Sequence, residues 1–267
     1  MIRIRIRSFL LPALLLILSS CSIKEDRNGC PCRLTVDLSR VLDPGMTPPS
    51  WWDRGLVLAL YSGDGEFDRM LCRYEEARPE YDFLVPKGEV GVSGILGLSR
   101  GVLSGREIHY PEGVESDKLF VSAPTVACHG ETARTVLEMN KQFSQVEIAG
   151  LESFDFRMEV TAGCSGLDVL TCEALEGRFR LPIECGDDGL CRFRMPRQNT
   201  DDLMILLYDT GGHLDNSIPL GLFLTDIGYD WHAASLSDVS VRVDYVTASV
   251  SITVGGWTQT IEFPYTL

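Results

Sequence analysis

The sequence has few of the features by which enzymes and metalloproteins are recognised. It contains no GxxxxGK[ST] or HExxH motif and no GxGxxG after a predicted strand. Residues 163–167 resemble a nucleophile elbow, but Leu167 stands where that turn requires glycine. The four histidines are scattered and there is no pair of CxxC motifs, so no zinc site is predicted. We expect a protein with no catalytic residues, metal or cofactor.

Positive charge is also scarce. The chain has 24 Lys and Arg against 38 Asp and Glu. Residues 1–20 hold three Arg and no acid, so the remainder carries 21 basic and 38 acidic side chains, a net charge of −17. Such a chain repels the phosphates of nucleic acid and of anionic lipid, which excludes nucleic acid as an expected partner.

One apolar run stands out, and it is short. It covers residues 9–18, follows three arginines and leads into Ser19-Ser20-Cys21. A basic start, a ten-residue apolar run and small residues predict a secretory signal over 1–20, because this run cannot cross about 30 Å of hydrocarbon. Leu18–Cys21 resembles the bacterial lipobox, in which the cysteine becomes the acylated first residue. The alternative is an ordinary signal peptide with a cysteine near its cleavage point.

The residues after Cys21 predict where such a lipoprotein is delivered. Residues 21–29 form a short polar tether containing Lys24, Glu25 and Asp26. A lysine followed by two acids resembles the surface-export signal of Bacteroidota lipoproteins. The resemblance implies a lipid-anchored protein on the outer face of the outer membrane, held by its acyl chains. The alternative is a solvated, charged linker without a signal.

Eight cysteines remain after Cys21, an even number that permits up to four disulfides in an exported protein. Cys185 and Cys191 flank a Gly-Asp-Asp-Gly turn and are a candidate pair, as are Cys164 and Cys172 around another turn. Eight cysteines allow 105 pairings, so the sequence does not determine the connectivity. Some of the cysteines could instead be free and buried as small apolar residues.

Helical periodicity is nearly absent, whereas alternation with a period of two recurs along the chain. It is clear over 34–38, 239–245 and 250–254, and continuous apolar runs at 56–61 and 203–208 suit strands that are central or covered on both faces. Glycine or proline interrupts nearly every gap between these runs. The pattern predicts an all-β protein built of antiparallel sandwiches.

The length favours two such sandwiches. We predict a signal peptide over 1–20, a lipidated tether over 21–29, an N-terminal sandwich over 30–131 and a C-terminal sandwich over 132–267. The boundary is placed near 130–135, since an irregular stretch at 101–117 precedes it and a new alternating run starts at Thr135.

Several patches together carry a family resemblance. Cys30-Pro31 leads into the first strand, 56–67 is an apolar run followed by a glycine turn, and 84–88 has the form Leu-x-Pro-x-Gly. The remaining patches are C-terminal: Pro219–Gly221, Gly228–Trp231, Leu236–Val239, Asp244–Tyr245 and Trp257. With the lipobox, this succession resembles the FimB/Mfa-type fimbrillin-associated lipoproteins of Bacteroidales, which are fimbrial anchor subunits.

The resemblance implies a fold of two tandem transthyretin-like β-sandwich domains and a role in anchoring a fimbrium, or pilus, and limiting its length. It also implies that pilins are the partners, joined by β-strand exchange. The chain departs from the family in having Val90-Gly91-Val92 where an aromatic is usual, and in its eight further cysteines.

Two groups of residues are candidates for contact with partners. Val250, Ile252, Val254 and Trp257 lie in the segment that we expect to take part in strand exchange, unless it is an ordinary internal strand pair. The aromatic residues Trp51, Trp52 and Trp231 could instead bind a glycan or a host protein on the same scaffold. For Trp51-Trp52 the alternative is a ring packed in the core.

Overall fold

The computed structural model describes residues 30–42, 55–63, 65–73, 76–150, 157–244 and 249–262. Within these ranges the chain forms four β-sheets and one short helix. The prediction of an all-β fold is confirmed. No helix in the described ranges has the length and apolar character needed to cross a membrane. The predicted lipobox and export signal, and Trp51-Trp52, lie outside the described residues.

The first two sheets use strands from the N-terminal half of the chain. The strands of this half are β1 (Cys32–Asp37), β2 (Leu56–Ser62), β3 (Gly65–Cys72), β4 (Glu80–Val85), β5 (Glu89–Leu96), β6 (Val102–Ser104), β7 (Glu107–His109), β8 (Phe120–Ser122), β9 (Thr125–Ala127), β10 (Thr132–Val136) and β11 (Asn140–Lys141). In the first sheet β1 lies between β4, antiparallel, and β10, parallel. The second sheet has the order β11-β8-β5-β2-β3, and β9 also pairs with β5. These two sheets face each other as the N-terminal sandwich.

The other two sheets form the C-terminal sandwich. Their elements are β12 (Phe143–Ala149), β13 (Arg157–Asp168), β14 (Ala174–Ile183), β15 (Cys191–Pro196), β16 (Met204–Tyr208), β17 (Leu214–Ile218), the helix α1 (Leu220–Asp226), β18 (Val239–Asp244), β19 (Ser249–Val254) and β20 (Trp257–Glu262). The third sheet has the order β15-β12-β18-β19-β20. In the fourth, β14 pairs along one edge of β13, while β16 and β7 share its other edge.

Each sandwich has its own hydrophobic core, as period-two alternation requires. Leu34 and Val36 of β1 face Leu58 and Leu60 of β2 in the N-terminal core. The C-terminal core takes alternate residues of the third and fourth sheets, and Leu220 and Leu224 of α1 close it at one side. The stabilisation comes from apolar area removed from water, about 25 cal/mol per Å².

A third core lies between the two sandwiches and explains the continuous apolar run at 56–61. Its buried members are Val57, Ala59, Tyr61, Ile95, Ile108, Tyr110, Leu119, Val121, Leu167 and Val169. The odd-numbered residues of β2 point into this core and the even-numbered ones into the N-terminal core, so β2 is covered on both faces. The sandwiches are therefore packed against each other through apolar surface.

The connection from β5 to β8, residues 97–118, crosses from one sandwich to the other; we term it the strap. Its strand β7 pairs with the last residues of β13, Gly166–Asp168. Beyond β7, the Tyr110 amide donates to the Ser165 carbonyl at 2.8 Å, and the Gly113 amide donates to the Arg180 carbonyl at 2.7 Å. The sequence predicts an irregular stretch over 101–117, whereas the strap contributes two strands, β6 and β7, to the fourth sheet.

The chain passes from the first pair of sheets to the second at Gln142, not at 131/132. β10 pairs with β1 and β11 with β8, so both belong to the N-terminal sandwich and the predicted boundary is displaced. The buried Gln142 accepts a hydrogen bond from Arg197 at 2.8 Å and donates to the Ala234 carbonyl at 3.0 Å. Burial lowers the pKa of Arg197, whose guanidinium also donates to the carbonyls of Trp231 and Ala233.

At the end of β1, Asp37 joins the first strand to its parallel neighbour. The carboxylate accepts a 2.8 Å hydrogen bond from the Ser39 amide and a 2.7 Å bond from the Arg134 guanidinium on β10. Hydrogen bonds from Ser39, and then from Arg134, lower the pKa of Asp37 from 3.8 to about 2. The ionised form is thus stabilised by folding.

Because the strap pairs with the fourth sheet and fills the core between the sandwiches, we expect the two sandwiches to unfold as one unit. We expect Ile108→Ala, which opens a cavity in the core between them, to lower the free energy of unfolding by about 2–5 kcal/mol. The control is Val102→Ala on the neighbouring strand of the strap, where the side chain is 58% exposed; its effect should stay within about 0.5 kcal/mol. Urea unfolding followed by fluorescence and circular dichroism measures both. Equal effects of the two substitutions, or loss of one sandwich alone, would contradict the predicted coupling.

The lowered pKa of Asp37 in the folded protein predicts how the free energy of unfolding depends on pH. Because folding lowers its pKa, its stabilisation is complete above the unfolded value of 3.8 and is lost as pH falls through about 2. Asp37→Asn should therefore destabilise the protein most above pH 5, and the difference from wild type should shrink between pH 4 and 2. Urea midpoints across this range measure it, with Asp215→Asn at an exposed site of β17 as control. A difference that does not change with pH would refute this assignment.

Candidate functional site

β20 forms one edge of the third sheet and extends beyond the core. Among the described residues, the C-terminal core takes side chains from strands β12 to β19 and none from residues 257–260 of β20. Val250 and Ile252 of β19 are fully buried, but Gln259 opposite Ile252 is exposed and Trp257 is 83% exposed. The face of β20 that continues the core face of β19 is thus uncovered.

A tight glycine turn sets the register of this edge. Gly255 and Gly256 have φ of +55° and +88°, the left-handed conformation that a two-residue hairpin turn with the favoured twist requires. Val254 and Trp257 flank the turn and therefore form a hydrogen-bonded pair, after which bonded and non-bonded pairs alternate. It follows that the main-chain amides of Thr258 and Thr260 point away from β19, toward the open edge.

The opposite face of the hairpin is polar. Thr253 and Thr258 share a hydroxyl hydrogen bond of 2.8 Å, and Ser251 and Thr260 share one of 2.9 Å. These side chains continue into a shallow depression of about 420 Å³ across the outer face of the third sheet, which Glu147 and Arg242 also line. This face of the hairpin carries polar side chains. An apolar surface of a partner would therefore contact the opposite face of β20, which carries Trp257.

The charge pattern separates β20 from the other edge strands. Natural sheets protect their edges with charged residues, which keep them from pairing with other chains. Among the described edge strands of five or more residues, β3, β4, β10, β14, β15 and β17 each carry at least one charge in their interior or at their first residue. β20 carries none from Trp257 to Ile261. It is the edge with the least protection against strand addition.

The predicted partner segment is therefore divided in two. Val250 and Ile252 lie in β19, which has neighbours on both sides and forms part of the core, so this half is an internal strand. Val254 is partly buried against the same core. Trp257 lies on the open edge strand, and only this half of the segment offers free main-chain groups.

The structure joins Cys185 and Cys191 in a disulfide, with their Cα atoms 4.0 Å apart across the turn between β14 and β15. Hydrogen bonds from Arg192, and then from the Leu190 amide, lower the pKa of Asp188 in this turn. The structure does not join the candidate pair Cys164 and Cys172, and both thiols are free. Cys164 lies opposite Glu176 within the β13–β14 hairpin, while Cys172 lies in its turn, about 13 Å farther along.

The candidate aromatic sites do not come together. Trp231 is only 8% exposed and packs on Tyr229 with ring centroids 4.5 Å apart. It belongs to the C-terminal core and cannot stack on a sugar ring without moving. The exposed tryptophan of the described residues is Trp257, which the sequence analysis assigned to a strand rather than to ligand binding. No group of three or more metal-ligating side chains occurs in these residues.

Similarity to solved structures, and not to known sequences, identifies the fold. No family model matches the sequence, and no curated protein matches it. Among solved structures, a candidate polysaccharide-binding protein from Bacteroides thetaiotaomicron is similar with a TM-score of 0.61 at 13% identity, over 86% of this chain and 98% of that one. A candidate adhesin from Bacteroides ovatus is similar with a TM-score of 0.58 at 12% identity, over 89% and 97%.

The fimbrial anchor protein Mfa2 from Porphyromonas gingivalis is similar with a TM-score of 0.58 at 9% identity, over 86% of this chain and 99% of that one. The likeness covers 97–99% of each solved chain and 86–89% of this one. At these identities it establishes the fold. This chain has the fold of the fimbrial anchor protein and of the two Bacteroides proteins.

Proposed function

We propose that this protein is a lipid-anchored protein of the outer membrane that fixes a fimbrium to the cell surface. Two supports are independent of each other: the N-terminal sequence with its lipobox at Cys21, and the fold, which is that of the Mfa2 fimbrial anchor. Lys24, Glu25 and Asp26 act as the signal that directs it to the outer face. In this role the protein works as a mechanical link and carries out no reaction.

The observation that supports the fibre-side contact is the edge strand β20, which extends beyond the core and carries no charge before its last residue, Glu262. Strand addition joins an extended segment of a partner to such an edge through main-chain hydrogen bonds, and side-chain pockets give specificity. β20 offers outward amides at Thr258 and Thr260 and an exposed ring at Trp257. A fimbrial subunit that adds a strand here would extend the third sheet and cover the uncovered face. An anchor bound at one edge also ends the fibre and thereby limits its length.

A proline at an outward amide tests this contact. We expect Thr260→Pro to leave the protein folded, since edge strands tolerate proline where no sheet hydrogen bond is lost. Retention of fimbrial subunits should fall about tenfold, the effect of roughly 1.4 kcal/mol, because a donor is lost and the ring blocks the edge. The measurement is the amount of fimbrial subunit that co-purifies with the protein from detergent-solubilised outer membranes.

Thr260→Ala is the matched control. It removes the same hydroxyl bond to Ser251 but keeps the backbone amide, so subunit retention should equal that of wild type. A thermal melt of both variants verifies folding. If the proline and alanine variants retain subunits equally, β20 is not the strand-addition edge, even when the protein is an anchor.

The lipid attachment is tested by Cys21→Ala. Without acyl chains the protein has no membrane anchor, since a chain of net charge −17 is repelled by anionic lipid. Fimbriae should then be shed into the medium, whereas wild-type cells retain them. Electron microscopy of cells and immunoblots of the medium give the result. Surface fibres undisturbed by the substitution would refute the anchor function.

One observation favours a second function, binding of a surface glycan. Trp257 is the exposed tryptophan among the described residues, an exposed aromatic ring can stack on a sugar, and one similar structure is a candidate polysaccharide-binding protein. Glycan-array binding that is lost in Trp257→Ala, combined with normal fibre retention by the same variant, would support this function in place of the first.

A further inference from the structure

Two buried cysteines of the N-terminal sandwich lie side by side. Cys32 begins β1 and Cys128 follows β9, and both are fully buried in the N-terminal core. The Cys32 thiol is near enough to Cys128 to contribute to raising its pKa. In the described residues the other free cysteines have different neighbours: the Cys164 thiol faces Asn199 at 2.8 Å, and Cys72 accepts a bond from the Tyr81 hydroxyl at 3.7 Å.

The backbone fixes this juxtaposition. Cys32 is the register partner of Val85, the last residue of β4. Cys128 exchanges both of its main-chain hydrogen bonds with Gly88, at 2.7 and 3.3 Å. Val85 and Gly88 are the two ends of the turn between β4 and β5, so the turn brings both cysteines to the same end of the sandwich. The Arg33 amide, which donates to the Glu131 carbonyl at 2.8 Å, holds the two segments together there.

From this geometry we infer that Cys32 and Cys128 form a disulfide in the exported protein. The two thiols release two protons and two electrons as the sulfur–sulfur bond forms. A thiol oxidase of the export compartment, acting as a protein disulfide, takes the electrons by exchange and is reduced to a dithiol. The bond links the first sheet to the second and closes a loop between positions 96 residues apart.

The surroundings determine when the bond forms. Burial, and then the neighbouring Cys32 thiol, raise the pKa of Cys128 to about 11. A thiol of that kind gives little thiolate at neutral pH, and neither sulfur is open to an oxidant once the core has closed. Oxidation therefore belongs to the folding chain after export, and the finished bond is shielded from reductants in the same way.

The location has a mechanical consequence that rests on the proposed anchor function. Cys32 is the eleventh residue after Cys21, so a force between the lipid and the fibre enters the folded body at β1. Its parallel and antiparallel neighbours, the ion pair of Asp37 with Arg134 and the packing of Leu34 and Val36 hold β1 by non-covalent contacts. A covalent bond from its first residue to the second sheet transfers the load to a second part of the sandwich before β1 can be pulled out.

The test is peptide mapping of the full-length lipoprotein purified from outer membranes. Free thiols are alkylated in denaturant without reduction, and tryptic peptides are analysed by mass spectrometry. The expected result is a linked pair made of residues 28–33 and 119–134, which separates on reduction. Because the first peptide also holds Cys30, the map is repeated with Cys30→Ser; the pair should persist there and disappear in Cys32→Ser.

Alkylated Cys32 and Cys128 without prior reduction would overturn the inference, and so would a linked pair that disappears in Cys30→Ser. A second measurement does not depend on mapping. In a Cys185→Ala/Cys191→Ala background, reductant present during refolding should lower the melting temperature by about 10 °C, the effect expected for so long a loop. Cys32→Ala/Cys128→Ala in that background should show no such shift. Neither result depends on fibres, so failure here is distinguishable from failure of the anchor function.

Discussion

The packing of one sandwich on the other through the strap is the constraint on which the rest of the structure depends. Ile108 and Tyr110 of the strap fill the space between the outer face of the second sheet and the far end of β13. Polar contacts fix the same contact region: the Tyr61 hydroxyl donates to the Gly105 carbonyl at 3.2 Å, and Ser93 donates to the Val169 carbonyl at 3.0 Å. Together these contacts join two sandwiches into a body in which β1 and β20 hold fixed positions. For the proposed anchor function such a connection matters, because a hinge between the sandwiches would carry a load through the single connecting chain.

Local patterns in the sequence were enough to predict much of this fold. The run at 56–61 correctly indicated a strand covered on both faces, because each of these six residues of β2 lies in one of two cores. The similar run at 203–208 behaves differently, since β16 lies inside its sheet but buries only alternate residues, Ile205 and Leu207. Apolar content alone does not distinguish these cases. The difference lies in what packs on the second face, and that is decided by parts of the chain far away.

The features that the sequence did not predict are the long-range ones. The sequence of the strap predicts no regular structure, because β6 and β7 have three residues each, too few to show the period-two alternation of a strand. β10 was assigned to the wrong half because its partner β1 lies about 100 residues earlier in the chain and parallel to it. The cysteine pairs show the same difference between local and long-range contacts. The pair Cys185–Cys191 was evident from the turn between them, whereas the contact of Cys32 with Cys128 depends on the turn between β4 and β5, which no local motif connects to either residue.

The edge strand β20 shows how an apparent defect in a fold can indicate a function. An unprotected edge invites pairing with other chains, and the other edge strands of five or more residues in the described ranges carry charges that prevent it. The segment from Trp257 to Ile261 carries none, and no residue from 257 to 260 belongs to the described core. An exposed tryptophan and free amides on a bare edge favour aggregation unless a partner covers them. Under the proposed anchor function, the extended backbone of a fibre subunit would pair with the amides and cover the ring.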